Sequence, residues 1–309
     1  MTNGSLRIVS LIPGGTEIVA ALGLTNAIVG RSHECDYPPE IQDRPVCTQA
    51  RINSNSPSGE IHDKVNNLLQ SALSIYQIKT DVLEKLQPTH IVTQDQCDVC
   101  AVSLKEVEEA VATLTNKSSQ IISLQPNILQ DVWEDIQRVA NVFGVDSRQV
   151  IENLEARVKI VDQKTQGLSQ TEHLPTVACI EWTDPLMVAA NWIPELVTLA
   201  GGQSLLSVKG QPSTPLKWET LFSSDPDIIV FMPCGFDLNR TRQEAQLLSQ
   251  RPEWQELHAV KSGRVYITDG NAYFNRPGPR LVDSLEILAE ILHPEIFQYG
   301  YKQKAWELL

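Results

Sequence analysis

No segment of the sequence has the uninterrupted apolar length that a bilayer-spanning helix needs, so membrane insertion is not expected. Positive charge is also scarce. Lys and Arg number 25 against 38 Asp and Glu, a net charge of -13, which repels phosphate backbones and anionic lipid surfaces and argues against a nucleic-acid partner. A neutral, cationic or largely apolar small molecule suits such a chain better as a partner. Six cysteines in 309 residues are too few for a disulfide scaffold, and they read as thiols of a reducing compartment. Met1-Thr2-Asn3-Gly4-Ser5-Leu6 shows no basic n-region, apolar h-region or small-residue cleavage site. The expectation is therefore a cytoplasmic protein, with a periplasmic or extracellular place only if a leader is missing from this sequence. Catalytic signatures are lacking too. There is no G-x-S-x-G and no H-E-x-x-H, and Gly14-Gly15-Thr16 matches neither a P-loop nor a dinucleotide fingerprint, which favours a non-enzymatic role.

What is present is one plan written twice. Residues 7–11 read as a buried strand, Gly14-Gly15 as a turn, Thr16 as an N-cap, and Glu17 to Leu22 as a helix stopped by Gly23. A second short strand, 27–30, delivers the chain into His33-Glu34-Cys35-Asp36-Tyr37-Pro38-Pro39. Asp81 to Gln87 forms a short helix ended by Pro88, followed by a strand through Val92 and by Ser103-x-x-Glu106, a capping box that opens another helix. Residues 120–124 close this half as a strand. In the second half, 177–182 is the strand, Pro194 to Leu199 the helix and Ala200-Gly201-Gly202 its stop. Glu219 to Phe222, Pro226 and the strand through Val230 then repeat the order of Asp81 to Val92.

Between the halves the period is helical: Val132, Ile136, Val139 and Phe143 share a face, Gly144 breaks it, and Asp146 recaps a helix with Val150, Leu154 and Val158. The expected architecture is α/β: two similar lobes with parallel-type sheets flanked by helices, 1–127 and 171–309, joined by a long helical connector at 128–170, with a ligand cleft between the lobes.

Ligands of open α/β sheets bind beyond the carboxyl ends of the strands, and the candidate residues are those that fall there. Thr93-Gln94-Asp95-Gln96-Cys97-Asp98-Val99-Cys100 ends a strand and holds the only C-x-x-C. His33, Cys35, Cys97 and Cys100 are the candidate zinc or iron ligands, against the alternative of reduced, inert thiols. Gly15 and Thr16 open a helix whose backbone N–H groups suit acceptor oxygens of a ligand. Trp182, Trp192, Phe236, Tyr273 and Phe274 fall at strand ends or in the loops after them, where they would wall a large planar ligand, although aromatics in apolar runs are usually core. Arg276 and Arg280 would either bond ligand amides or hold their own loop.

Ser10-Leu11-Ile12-Pro13 through Thr16-Glu17-Ile18-Val19 and Ala21-Leu22-Gly23, then Cys35-Asp36-Tyr37-Pro38-Pro39, Leu86-Gln87-Pro88 and Arg276-Pro277-Gly278-Pro279-Arg280-Leu281-Val282-Asp283, occur in a specific order. Over nearly its whole length the chain resembles substrate-binding proteins of ABC importers with a helical connector, and among them the vitamin B12 (cobalamin) binding group. The resemblance implies a bilobal fold that moves little on binding and a corrinoid held between lobes, faced by the Tyr37 loop and by the loop from Asn275 to Arg280. It also implies one acid per lobe docking on transporter arginines, here Asp81 and Glu219. The His33, Cys35, Cys97 and Cys100 set departs from the importer pattern. The leading expectation is non-enzymatic binding of cobalamin, another corrinoid or a related tetrapyrrole for storage, trafficking or sensing. The alternatives are a thiol/His metal-binding or redox protein on the same scaffold, and an ABC-importer substrate-binding subunit whose leader is missing.

Overall fold

Short runs of β-branched and aliphatic residues build the first sheet. β1 (Ile8–Ser10) is fully buried, and it pairs in parallel with β2 (Ile28–Arg31) on one side and β5 (His90–Gln94) on the other. β6 (Gln120–Leu124) continues the sheet beyond β5, giving the order β2-β1-β5-β6. In this computed structural model, residues 6–70, 75–95, 103–114, 119–168 and 173–309 are described, and among them there are eleven α-helices and twelve strands.

The helix α1 (Pro13–Ala21) begins four residues earlier than the sequence suggests. Thr16 is not its N-cap. Pro13 takes the first helical position, where its fixed φ is pre-organised and its missing N–H costs nothing, and Gly14-Gly15 belong to the first turn. The Thr16 hydroxyl instead donates back to the Ile12 carbonyl at 3.2 Å. Gly15 is required by packing, because a Cβ there would lie 2.7 Å from Val92 Cγ1.

The first unit comprises Met1–Pro126 with Gln130–Ile151. It also holds α2 (Ser58–Gln70), α3 (Thr80–Leu86), α4 (Leu104–Thr113) and an antiparallel ribbon of β3 (Thr48–Ala50) and β4 (Tyr76–Ile78). The capping box holds at its first member: Ser103 Oγ accepts from the Glu106 N–H. Val9, Leu11, Leu83, Ile91, Val107 and Val111 meet in one apolar cluster under the sheet.

The helical connector is two helices, α5 (Leu129–Phe143) and α6 (Arg148–Gln166). Gly144, at φ +67°, separates them. Nearly all of α5 belongs to the first unit and most of α6 to the second, which comprises Asn127–Leu129 with Glu152–Leu309. Asp146 accepts from the Arg148 backbone N–H at 3.0 Å, as a residue opening a helix should.

The second unit repeats the first. β7 (Thr176–Thr183) pairs in parallel with β9 (Gln203–Ser204) on one side and β10 (Ile228–Phe231) on the other, and β11 (Val265–Thr268) follows β10. Its parallel strands β9-β7-β10-β11 thus have the connectivity of β2-β1-β5-β6. Two antiparallel strands are added, β8 (Leu186–Val188) beside β7 and β12 (Trp306–Leu308) at the edge beside β11. α7 (Ile193–Leu199) matches α1, down to the closure. Leu24 N–H bonds Val19 C=O across Gly23 at φ +78°, and Gly202 N–H bonds Val197 C=O across Gly201 at φ +81°.

α8 (Trp218–Ser224) matches α3: both have seven residues, end on a left-handed residue (Gln87 at φ 44°, Asp225 at φ 39°) and run through a proline into the central strand. The remaining helices are α9 (Leu238–Leu248), α10 (His258–Lys261) and α11 (Leu281–Leu292). α11 is buried at every position but Asp283, so it shows no amphipathic period. Its two glutamates are satisfied from elsewhere: Glu286 by Arg157 at 2.6 and 2.9 Å and by the Tyr301 hydroxyl at 2.9 Å, Glu290 by the Trp306 indole at 2.9 Å.

Candidate functional site

In each unit the chain leaves the first strand to one side and returns to the other, so the strand order reverses beside β1 in the first unit and beside β7 in the second. The crevice at such a reversal, beyond the carboxyl ends of the strands, is where open α/β sheets take ligands.

In the first unit this edge carries Thr16, Cys35, His33, Tyr37 and Gln94. Thr16 is fully buried, with its hydroxyl 2.8 Å from Ser10 Oγ and 3.0 Å from Cys35 Sγ. Cys35 is also fully buried, and its thiol turns toward Ser10 and Thr16. Gln94 is buried at the last position of β5. Tyr37, before a cis peptide to Pro38, is 43% exposed.

His33 is held apart from Cys35. Its backbone N–H donates to Thr48 Oγ1 at 3.0 Å, its Nδ1 lies 2.7 Å from the same oxygen, and its ring packs on Tyr76 with centroids 5.1 Å apart. Burial, with Lys79 and Arg31 close by, holds the imidazole below its ordinary range and so in the neutral form. Cys97 and Cys100 lie outside the described residues. Among the described residues no three His, Cys, Asp or Glu side chains converge as a metal site, and Cys35 is committed to the core.

In the second unit the reversal between β7 and β10 is aromatic. Trp182, the penultimate residue of β7, is half-buried, its indole N–H donating to the Asp184 carbonyl at 3.0 Å. Phe236, from the loop after β10, packs on it with centroids 5.2 Å apart at 38°. The Arg240 guanidinium lies over Phe236 at 4.7 Å and is braced by Glu244 at 2.6 Å, which also accepts from the Thr183 hydroxyl. Arg240 was not among the residues expected from sequence, since nothing in its local pattern marks it. Glu181 also lacked a signal. It occupies the register shift of β7 against β8, where it accepts from Ser213 Oγ at 2.6 Å, and burial raises its carboxyl above the ordinary range.

The loop after β11 opens on an Asx turn, with Asp269 Oδ1 accepting from the N–H groups of Asn271 and Ala272. Asn275 donates to the carbonyls of Met232 and Gly270, both at 2.9 Å, and Arg276 donates to Asn271 Oδ1 at 3.0 Å while 6% exposed. Tyr273 stands half-buried with Arg280 over its ring at 5.5 Å. Trp192 and Phe274, by contrast, are core residues: Trp192 donates its indole N–H to the Phe274 carbonyl at 2.7 Å, and Phe274 is fully buried. They support the loop from behind. Of the aromatic residues expected to wall a ligand, Trp182 and Tyr273 are half-buried, and Phe236, at 5% exposure, is buried with Trp192 and Phe274.

Asp81 and Glu219 both occupy the second position of their matched helices α3 and α8. Asp81 is 74% exposed beside Lys85, and Glu219 is exposed.

A family model described as periplasmic binding protein matches residues 8–272. An uncharacterized ABC transporter substrate-binding lipoprotein, YvrC of Bacillus subtilis, is 22% identical over 94% of this chain and 81% of its own length. IsdE of a high-affinity heme uptake system of Staphylococcus aureus is 22% identical over 60% of this chain and 61% of its own length. Among solved structures, S. aureus IsdE complexed with heme superposes with a TM-score of 0.70 at 18% identity, covering 94% of this chain and 100% of that one. The periplasmic vitamin B12 binding protein BtuF of Vibrio cholerae superposes with a TM-score of 0.59 at 19% identity, covering 94% and 98%. These relatives are described as substrate-binding, heme-uptake and vitamin B12 binding proteins, in agreement with the non-enzymatic reading.

They overturn the expectation of a cytoplasmic protein. A lipoprotein and periplasmic binding proteins point to an extracytoplasmic location, and the first residues of this sequence carry no information on that point. No helix among the described residues is long and apolar enough to cross a membrane.

Proposed function

Because the chain belongs to the periplasmic binding protein family, we propose that it is the substrate-binding subunit of an ABC importer for a metal-centred tetrapyrrole, a cobalamin-like corrinoid or a heme. The observation that carries this reading is the aromatic surface at the strand-order reversal of the second unit. Trp182, half-buried and backed by the buried Phe236, offers a face for a planar ring system, and Arg240 and Arg280 bring positive charge beside Phe236 and Tyr273, suited to carboxylate or amide oxygens at a macrocycle's rim. Tyr37 is an exposed aromatic of the first unit. Arg276 and Asn275, committed to their own loop, hold Tyr273 in place, while Gly15, Thr16 and Gln94 shape the edge of the first sheet. Asp81 and Glu219 dock on the transporter.

Titration of the protein with aquocobalamin and with hemin, following the visible spectrum of the ligand and tryptophan fluorescence, tests the reading. One of the two is expected to saturate at micromolar concentration. Loss of the Trp182 ring in Trp182→Ala is expected to weaken it by about 1–2 kcal/mol, roughly five- to thirtyfold. A flat response to both ligands would refute the proposal.

A further inference from the structure

The second unit holds a cavity of about 280 Å³ at the amino ends of its strands, the end of the sheet away from the strand-order reversal. Asp227 and Arg264 line it, each immediately before a strand, β10 and β11 in turn. Leu168, Leu174 and Leu292 give it aliphatic walls. His293, also in the wall, is 7% exposed and has its Nε2 3.0 Å from the Gly201 carbonyl. Asp227 is anchored by one oxygen: its Oδ2 accepts from the Thr176 N–H and hydroxyl, both at 2.8 Å. Its Oδ1 has the exposed His258 Nε2 at 3.8 Å, beyond a hydrogen bond. Burial opposes the charge, but the Thr176 donors, with His258 and His173, hold this carboxyl below its ordinary range and so ionised. The Arg264 guanidinium has no hydrogen bond, ion pair or aromatic ring beside it among the described residues. Other arginines of this unit are paired, Arg157 with Asp283 and Glu286, Arg240 with Glu244 and Arg242 with Glu307. Two opposite charges thus line one cavity without closing on each other, in a chain of net charge -13 where carboxylates are plentiful. The charge-assisted bond they forgo is available to an occupant that carries both charges in the reverse order.

We propose that this cavity binds a small zwitterion, an α-amino acid with an aliphatic side chain, its carboxylate on the Arg264 fork and its ammonium on Asp227 Oδ1. A plain anion would meet the Asp227 carboxylate, and a plain cation the Arg264 guanidinium; a zwitterion answers both. The aliphatic side chain lies against Leu168, Leu174 and Leu292. The volume falls just below the roughly 300–1,000 Å³ of sites for drug-sized ligands, which suits a single amino acid and is too small for a tetrapyrrole. All these residues belong to the second unit, and the site is independent of the tetrapyrrole reading.

Calorimetric titration of the full chain tests this with three probes: L-leucine, 4-methylpentanoate, which lacks the ammonium, and 3-methylbutylamine, which lacks the carboxylate. The wild type is expected to saturate with leucine by about 1 mM and to bind each analogue at least roughly tenfold more weakly. Arg264→Gln should lose roughly tenfold or more in leucine affinity, with an unchanged urea midpoint, because the side chain has no internal partner to lose. Arg264→Lys keeps the charge without the fork and should fall between the two. No saturable heat with leucine in the wild type up to about 10 mM overturns the proposal. Equal leucine affinity in wild type and Arg264→Gln overturns the site, and an analogue that binds as tightly as leucine overturns the zwitterion.

Discussion

Gly15 shows how a single missing methyl sets the geometry of the first sheet's edge. A Cβ at 2.7 Å from Val92 Cγ1, with Ile12 Cγ2 at 3.1 Å, cannot be accommodated without moving α1 off β5. Gly15→Ala is expected to cost about 1–3 kcal/mol by overpacking, read as a lower urea midpoint with unchanged slope; an unchanged midpoint would mean that the helix start yields freely. The buried thiols make a prediction in pH. Burial pushes Cys47 and Cys179 up to about 12, so the folded state keeps protons that the unfolded chain releases from roughly pH 8.5–9 upward. Stability is present in full below that range and falls as pH rises through it. The decline should be shallower in Cys179→Ala, measured by denaturant unfolding at several alkaline pH values; equal slopes in variant and wild type would show that this thiol is not responsible. At this scale sequence was a weak guide. The structure shows Thr16, Trp192 and Phe274 buried with internal partners, which sequence did not reveal, because whether a side chain at a strand end turns out or in depends on neighbours distant in sequence.

Elements were far more legible. The Asp81 to Val92 order and its echo from Glu219 to Val230 became two seven-residue helices with the same left-handed closure and the same exit into a central parallel strand. Glycine stops at 23, 144 and 201 all proved to be positive-φ positions. What stayed hidden was α11, whose all-round burial erases the helical period, and the short strands β3, β4, β8, β9 and β12, whose pairing partners are set by tertiary contact. The matched helices carry a prediction of their own. Asp81 and Glu219 are exposed at equivalent positions and contact no candidate ligand residue, so the double variant Asp81→Lys/Glu219→Lys should bind ligand as the wild type does and fail to stimulate ATP hydrolysis by its transporter in proteoliposomes. Undiminished stimulation would remove these acids from docking.

For the whole molecule, duplication explains more than any single motif. Each unit reverses its strand order beside its first strand, the crevice where open α/β sheets take ligands. The C-x-x-C that stands out in the sequence lies outside the described residues, and the described partners expected for it, His33 and Cys35, are held by different neighbours. Net charge suited a small-molecule partner, but composition says nothing about compartment, and the relatives correct that point. The most direct measurement is isothermal titration calorimetry of the purified protein with aquocobalamin and with hemin. Saturable binding of one of them at one molecule per chain and micromolar or tighter affinity is expected; absence of saturable heat with both, in protein shown to be folded, would contradict the tetrapyrrole account.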